Sequence, residues 1–259
     1  MTALAALWSV YYARQRFDEC INYIVDVAEW FVMRLEDLNW MDIERYLQQD
    51  DRIILLTGAT EQHGYLSLMT DILIPFRLAL AAAEQEKVII APPLNFGHSA
   101  MFVNFPGTIS LSKETFNIVL TEMVQGLLGQ GFAGFFIING HEGNNLPSQL
   151  EDIRMDGHAR ITWHDWWSSP VVKAFADTHS LRADHANWSE NFPFTRVAPV
   201  PAGEKPTVNL GYLEAGQSIR EVLGDGSFGG AYQIDDALIQ DLFQQLSDEI
   251  VGLLQALRR

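Results

Sequence analysis

The chain contains 259 residues, of which 48% are hydrophobic, and its formal net charge is −16. This length and apolar content suffice for one sizeable core, so a single α/β domain is expected. The negative charge argues against nucleic-acid binding, which needs clustered Lys and Arg, and disfavours an anionic membrane surface. Cys20 is the sole cysteine, which excludes an intrachain disulfide and a cysteine-rich zinc site. Without a bilayer-spanning apolar stretch or a basic leader, we expect a cytoplasmic protein with no membrane partner.

The chain divides into an N-terminal segment, residues 1–32, and a single domain over residues 33–259. Apolar residues recur at roughly helical spacing in the first segment, which predicts a helical extension. Met33 is a credible second start. The segment is therefore either an extra helix or the product of an upstream start codon.

From residue 39, apolar β-prone runs alternate with helical patterns. The predicted strands cover residues 52–59, 87–94, 133–138 and 160–163, and the predicted helices cover residues 42–49, 72–86, 113–129, 146–156 and 235–257. Ser112 is a predicted N-cap and Pro75 is placed in a first helical turn. Residues 168–232 are rich in Pro and Gly and are predicted to be irregular. The alternation predicts an α/β fold with a parallel sheet covered on both faces.

Carboxylates and imidazoles follow two of the predicted strands. Glu61 and His63 come after the first strand, His141 comes after the third, and Asp71 opens the next helix. Ligands bind at the carboxyl ends of strands in open α/β sheets, and divalent transition metals favour this ligand mixture. For any one of these residues alone, a hydrogen-bonded loop residue is the commoner explanation. The set at two strand ends favours a catalytic metal site.

Weaker signals occur elsewhere in the sequence. Residues 224–229 fit the glycine spacing of a dinucleotide loop but do not follow a strand, so a surface turn is predicted. Residues 163–167 contain three tryptophans and His164, a cluster that could line a pocket although such clusters are more often core or interface. His98 follows the second strand and is a further candidate for the cleft.

Four segments in order resemble the motifs of the creatininase (creatinine amidohydrolase) family. They are Glu61-Gln62-His63-Gly64 with Asp71, Phe105-Pro106-Gly107-Thr108, Asn139-Gly140-His141, and His185-Ala186-Asn187-Trp188-Ser189-Glu190. The resemblance runs from about residue 38 to the C-terminus. It implies a three-layer α/β/α fold, a dinuclear centre of zinc, manganese or iron, and hydrolysis of a C–N bond in a small, non-peptide substrate. It also implies a homohexamer.

Carried over by position, the resemblance assigns roles to single residues. Glu61 and His141 would hold one metal and His63 the other, with Asp71 bridging both. His185 and Glu190 match the element in which the family places catalytic and metal-proximal groups. We further expect Glu142, Trp188 and His164 to contact the substrate.

The sequence also departs from the family pattern. The stretch Tyr65–Met69 is one residue shorter than usual and lacks the second histidine, and Gly143 stands where creatininase proper has a glutamate ligand. The second metal would then need Glu190 or water, and creatinine itself is expected to be a poor substrate.

Two alternatives stay open at this point. The same centre could open a cyclic ketone or lactone, or remove a formyl group from a nucleotide precursor, for which Arg77 and Lys113 are the nearest cations in sequence. The shortened loop could instead have cost the second metal and left a binding or assembly subunit.

Overall fold

The computed structural model describes residues 34–209 and 218–259. The predicted helical extension over residues 1–32 therefore lies outside the described residues. Contacts group residues 33–259 into one compact unit. Within the described ranges, no helix combines the length and the apolar character that crossing a membrane requires.

A four-stranded parallel sheet forms the centre of the fold, in the order β2-β1-β3-β4. The strands are β1 (Arg52–Thr57), β2 (Ile89–Ile90), β3 (Gly134–Asn139) and β4 (Arg160–Asp165). Every residue of β1 and β3 is buried, as the unbroken apolar run over residues 133–138 predicts for β3. Thr57 pairs with Asn139, and Asn139 pairs with Asp165, so three strands end level at one edge.

Helices cover both faces of this sheet. The helices of the described residues are α1 (Trp40–Tyr46), α2 (Thr70–Glu86), α3 (Lys113–Leu128), α4 (Ser148–Met155), α5 (Pro170–Thr178), α6 (Ile219–Leu223) and α7 (Asp236–Ala256). On one face, apolar residues of α1, α3 and α4 pack with Ile53, Leu55, Phe135 and Ile137. On the other face, α2 packs against α7 and contacts β1 and β3. The α/β fold with three layers is confirmed.

Two local predictions were wrong in ways that have a physical cause. The second strand is regular only over Ile89–Ile90 because Pro92 and Pro93 follow, and proline cannot donate to a strand ladder. Pairing resumes beyond the prolines as a single parallel bridge between Leu94 and Thr57. Helix α2 begins at Thr70, so Pro75 lies in its second turn. The N-cap prediction is confirmed, since the Ser112 side chain accepts a hydrogen bond from the Thr115 N–H.

The segment predicted to be irregular contains regular structure. Helix α5 begins after Ser169, whose side chain accepts from the Val172 N–H, and Pro170 occupies its first position. This Ser-Pro pair is a recognisable helix-start signal. The segment also contains α6 and a two-stranded antiparallel sheet of β5 (Glu204–Lys205) and β6 (Gly230–Ala231).

Candidate metal centre

Asp71 lies in the first turn of α2, where two strand ends press against the helix. Gly58 follows β1 and Gly140 follows β3. A Cβ atom at these positions would lie 2.4 Å and 2.0 Å, respectively, from the Asp71 carbonyl oxygen. The two glycines therefore let both strand ends approach the helix closely. This packing holds the Asp71 carboxylate beside the residues that follow β1 and β3.

The Asp71 carboxylate faces two histidines, one with each oxygen. Its Oδ1 lies 2.8 Å from His63 Nε2, and its Oδ2 lies 3.0 Å from His141 Nδ1. Glu61 Oε1 is 3.3 Å from His141 Nδ1, and Glu190 Oε2 is 3.9 Å from His63 Nε2. Three groups of potential ligands result. Asp71 belongs to two of them, one with Glu61 and His141 and one with His63 and Glu190, and the third joins Glu61, His63 and His185.

Backbone carbonyls fix the orientation of both imidazole rings. His63 Nδ1 lies 3.1 Å from the Glu61 carbonyl oxygen, and His141 Nε2 lies 3.0 Å from the His98 carbonyl oxygen. A ring nitrogen facing a carbonyl donates its N–H, so the second nitrogen of each ring faces the carboxylates. In a neutral ring that second nitrogen carries a lone pair, which the carboxylate oxygens repel. A cation bound between the nitrogen and the carboxylate relieves this repulsion.

The donor set fits a divalent metal. Glu61, His63 and Asp71 are each no more than 3% exposed. Within the described residues, Glu61 Oε2, His63 Nε2 and Asp71 Oδ2 are buried and have no hydrogen-bond partner. For His63 Nε2, the short distance to Asp71 is an ion-pair contact without hydrogen-bond alignment. Buried polar atoms of this kind need an explanation, and a bound metal ion provides one.

Without a metal, these groups share protons. Burial lowers the pKa of His63, but the charges of Asp71 and Glu190 outweigh burial and raise the pKa to about 10. His141 behaves alike: burial lowers its pKa, and Asp71 and Glu61 raise it to about 11. Burial raises the pKa of Asp71, yet the two histidines hold it below its usual range. Burial raises the pKa of Glu190 to about 7.

A cavity of about 670 Å³ opens onto this cluster. Its walls include Glu61, Asp71, His98, His141, Glu142, Trp167, Arg182, Asp184, His185 and Glu190. Pockets of this size and polarity hold small ligands. Glu142, predicted to contact the substrate, is exposed and lines the cavity beside His141.

His185 and Glu190 come from the segment after α5. The imidazole of His185 stacks on Phe102, with 4.7 Å between ring centroids. Burial and the charge of His63 lower the pKa of His185 well below its usual value. Glu190 Oε2 accepts a 2.6 Å hydrogen bond from the Ala186 N–H. Ala186 adopts a φ of 55°, a left-handed conformation that is uncommon for alanine.

Two residues expected at the substrate lie elsewhere. His164 is on the β4 face that packs under α7, and its Nε2 lies 3.6 Å from Glu249 Oε2. Strand alternation turns it away from Trp163, which packs with the opposite core. Trp188 is fully buried, and its indole N–H donates to the Arg182 carbonyl. Neither is among the residues that line the cavity.

Residues 224–229 do not form the predicted surface turn. Gly226 and Ser227 are buried. The Gly226 carbonyl accepts from the Gln62 side chain, and the Phe228 N–H donates to the His185 carbonyl. The loop therefore belongs to the wall of the candidate centre.

His98, a candidate for the cleft from the sequence, lines the cavity, and its carbonyl orients His141. The sequence indicated no role for that carbonyl, for the Gln62 side chain beside His185, or for Arg182 in the cavity wall. Gln62 stands inside the first motif, so its position was a usable signal. The other two depend on loop geometry that periodicity does not encode.

Comparisons with known proteins identify the same family that the sequence motifs resemble. A creatininase family model, described as creatinine amidohydrolase, matches residues 36–254. The creatinine amidohydrolase of Pseudomonas putida is 27% identical over 42% of this chain and 45% of its own length. The mycofactocin precursor peptide peptidase of Mycolicibacterium smegmatis is 31% identical over 40% of this chain and 46% of its own length. The 3-dehydro-scyllo-inosose hydrolase of Thermotoga maritima is 29% identical over 41% of this chain and 35% of its own length.

The chain thus spans less than half the length of these curated relatives. Solved structures match over more of the chain. A crystal structure of creatininase superposes with a TM-score of 0.72 at 19% identity, covering 86% of this chain and 96% of that chain. A structure titled "Creatininase Mn" has a TM-score of 0.73 at 19% identity over 86% of this chain and 98% of that one. At this identity the structures establish the fold, and the family model over residues 36–254 shows that the chain belongs to the creatininase family of amidohydrolases.

Proposed function

We propose that this chain binds two divalent metal ions, zinc, manganese or iron, and hydrolyses a C–N bond of a small cyclic amide or formamide-like substrate. Glu61 and His141 would hold one ion and His63 and Glu190 the other, with Asp71 shared by both groups. The observation that carries the proposal is that Asp71 presents one carboxylate oxygen to each histidine, at 2.8 Å and 3.0 Å. A carboxylate shared by two ligand groups is the usual arrangement in two-metal hydrolases.

The metal ions, when bound, supply an acidified water and polarise a carbonyl oxygen. The protein provides the remaining groups. Glu61 and Asp71 place carboxylate oxygens at the floor of the cavity, which favours cations there. His185 lines the same cavity, and its lowered pKa keeps the ring neutral at pH 7, so it can accept a proton from the attacking water before passing it on. Glu190 and His185 are the groups that pass a proton to the leaving nitrogen.

The charges of the cavity wall support a small substrate without a phosphate. Arg182 is a basic residue in that wall, and its guanidinium pairs with Asp184 at 2.6 Å. Glu142 adds a further carboxylate. Arg77, one cation considered from the sequence, instead lies over the Phe194 ring at 5.6 Å. A nucleotide phosphate would therefore meet more carboxylates than free cations.

The curated relatives favour a second candidate reaction. The relative from Thermotoga maritima is named as a hydrolase of an inosose, which is a cyclic ketone, whereas the relative from Mycolicibacterium smegmatis is named as a peptidase. The same metal centre and cavity would serve the opening of a cyclic ketone or lactone.

We also propose that the protein is a cytoplasmic homo-oligomer, a hexamer by family resemblance. Light scattering after gel filtration would measure the mass of the oligomer.

The test combines metal content with a substrate screen. Zinc- and manganese-loaded protein is dialysed, and metal per chain is measured by inductively coupled plasma mass spectrometry. Loaded, chelated and reloaded samples are then assayed on cyclic amides including creatinine, formamides, lactones and short peptides. We expect two ions per chain and hydrolysis of a cyclic amide or formamide that chelation abolishes and reloading restores. Fewer than one ion per chain would overturn the metal assignment, and full loading without hydrolysis would favour a binding subunit.

A further inference from the structure

The ammonium of Lys205 lies among three oxygens of the loop of residues 223–229. Lys205 Nζ donates to the Leu223 carbonyl and to Asp225 Oδ1 at 2.5 Å each, and to the Ser227 carbonyl at 2.8 Å. An ammonium has three N–H donors, so these three acceptors satisfy all of them. The side chains of Lys205 and Asp225 are only 16% and 21% exposed. Lys205 therefore occupies the loop as a bound cation would.

The Asp225 carboxylate joins Lys205 to two further elements. It accepts from the Ser227 N–H at 3.1 Å and from the Tyr232 hydroxyl at 2.6 Å. Burial raises the pKa of Asp225, but the hydrogen bonds from Lys205 and Tyr232 outweigh burial and hold the pKa below its usual range. The Tyr232 ring meets the Tyr65 ring edge-on, with 5.8 Å between centroids. The cluster thus also contacts the stretch in which the sequence departs from the family pattern.

The opposite side of the same loop forms part of the cavity wall. Phe228 lines the cavity, and its N–H donates to the His185 carbonyl at 3.1 Å. The Gly226 carbonyl accepts from the Gln62 side chain at 3.0 Å. Among the described residues, neither Gly226 nor Phe228 belongs to a group of potential metal ligands. A shift of the loop would therefore change the wall without removing a metal ligand.

The composition of the loop explains why it needs a strong contact. Four of the seven residues 224–230 are glycine. Gly226 and Gly229 have φ values of 97° and 110°, which suit glycine but leave such a chain very free before it folds. Charge-assisted hydrogen bonds are the strong ones in proteins, and Lys205 makes three of its own to this loop. Its ammonium is therefore the main restraint on the path of the loop.

We propose that Lys205 is a positioning residue whose ammonium fixes the loop of residues 223–229 and thereby sets the place of Phe228 in the cavity wall. The consequence for hydrolysis rests on the proposed function. The restraint on the loop does not, because contacts of Lys205 alone carry it. The glycine-rich segment thus holds a cationic side chain of this chain, whereas its glycine spacing resembles that of a phosphate-binding loop.

Hydrogen exchange measured by mass spectrometry on the zinc-loaded full-length protein tests the restraint. Lys205→Met keeps the length of the side chain and removes the ammonium, and Lys173→Met at an exposed lysine of α5 is the control. We expect the amides of residues 226–229 to exchange roughly tenfold faster in Lys205→Met and unchanged in the control, with equal metal per chain. Unchanged exchange in Lys205→Met would overturn the proposal, as would equal acceleration in β1 and β3, which would indicate global destabilisation.

Chemical rescue separates the ammonium from the bulk of the side chain. Lys205→Cys is made together with Cys20→Ser, so that the introduced thiol is unique. Alkylation with 2-bromoethylamine rebuilds a side chain of lysine length that ends in an ammonium, and 1-bromopropane gives an uncharged side chain of equal length; intact mass verifies both. Slow exchange of residues 226–229 should return only with the ammonium. Equal recovery with the propyl group, or none with the ammonium, would overturn the proposal.

The same samples connect the loop to catalysis. On a substrate that the wild type hydrolyses, the aminoethylated protein should regain the kcat/KM that Lys205→Cys loses, and the propylated protein should not. Equal kcat/KM in all three would show that the loop does not serve the reaction and would overturn that part of the proposal. A wild type without hydrolysis would count against the proposed function alone, because the exchange rates decide the role of Lys205 independently.

Discussion

The ring of His141 donates its Nε2–H to the backbone carbonyl of His98 across 3.0 Å. That bond turns Nδ1 toward Asp71 and Glu61, at 3.0 Å and 3.3 Å. Gly143 lies against both partners: a Cβ atom there would be 2.2 Å from the His98 oxygen and 2.4 Å from His141 Nε2. A glycine at this position is therefore a condition for the orientation of His141.

The first prediction concerns that glycine. Restoring a glutamate with Gly143→Glu should weaken zinc binding rather than add a ligand, because the new side chain displaces His98 or His141. Loss of such an orienting contact typically costs 10- to 100-fold in metal affinity. Zinc affinity is measured by competition with a chromophoric chelator, and Glu142→Gln, at the exposed neighbouring residue, serves as the control. Tighter zinc binding by Gly143→Glu would contradict the prediction.

A second prediction separates a bridging ligand from a residue of the cavity wall. Asp71→Asn should lose both metal ions, because the change removes a charge that both ligand groups share. Glu142→Gln should retain them, since Glu142 belongs to neither group. Metal per chain after dialysis is the measurement. Equal loss in the two variants would mean that Asp71 does not bridge.

The third prediction is that the Tm depends on pH differently in the metal-free protein and in the zinc-loaded protein. In the metal-free protein the pKa of His63 is about 10 and that of His141 about 11, above the unfolded value of about 6.5. Their stabilisation is therefore complete below about pH 6.5 and is lost as the pH rises toward 10. The pKa of Glu190 is also raised, to about 7, so its contribution to stability is likewise lost as the pH rises, but at a lower pH than for the two histidines. The Tm of chelated protein should fall from about pH 7 to 9.

Zinc-loaded protein should not show this fall, because metal ligation requires neutral imidazoles. Calorimetric titration of zinc into metal-free protein at pH 7 should also release protons, seen as a binding enthalpy that changes with the buffer. A Tm of the chelated protein that is flat or rises over this range would show that the two histidines are neutral without metal.

How far the sequence predicts the candidate site depends on what brings each residue there. Glu61, His63 and His141 follow β1 and β3, and the carboxyl ends of parallel neighbours meet at one edge, so their convergence follows from strand order. Asp71 was predictable because it opens the helix after the first strand.

Other residues were placed by features that a sequence pattern does not contain. His164 was assigned to a pocket from its tryptophan neighbours, but strand alternation places it under α7 beside Glu249. Trp188 lies between His185 and Glu190 in sequence, yet its indole N–H donates to the Arg182 carbonyl. Arg182 itself reaches the cavity through a loop, where neither period nor capping signals apply.

The fourth prediction tests a buried charge that joins three elements. Arg52 at the start of β1 is fully buried and donates to the Glu86 carboxylate of α2 at 3.1 Å and to the Leu254 carbonyl of α7 at 2.7 Å. Arg52→Met leaves Glu86 without this partner and should lower the free energy of unfolding by about 3–5 kcal/mol. Arg45→Met, which removes an exposed partner of Asp42, should cost roughly 0–1 kcal/mol. Urea unfolding measures both, and equal costs would contradict the assigned role.

The last prediction concerns residues 1–32. A chain that starts at Met33 should fold and bind the same number of zinc ions as the full chain. The family model begins at residue 36, residues 33–259 group into one compact unit, and every proposed ligand follows residue 60. Circular dichroism and metal per chain are compared for the two chains, with Asp71→Asn in the shorter chain as the metal-free control. A shorter chain that is folded but retains less zinc than the full chain would show that the segment supports the metal centre.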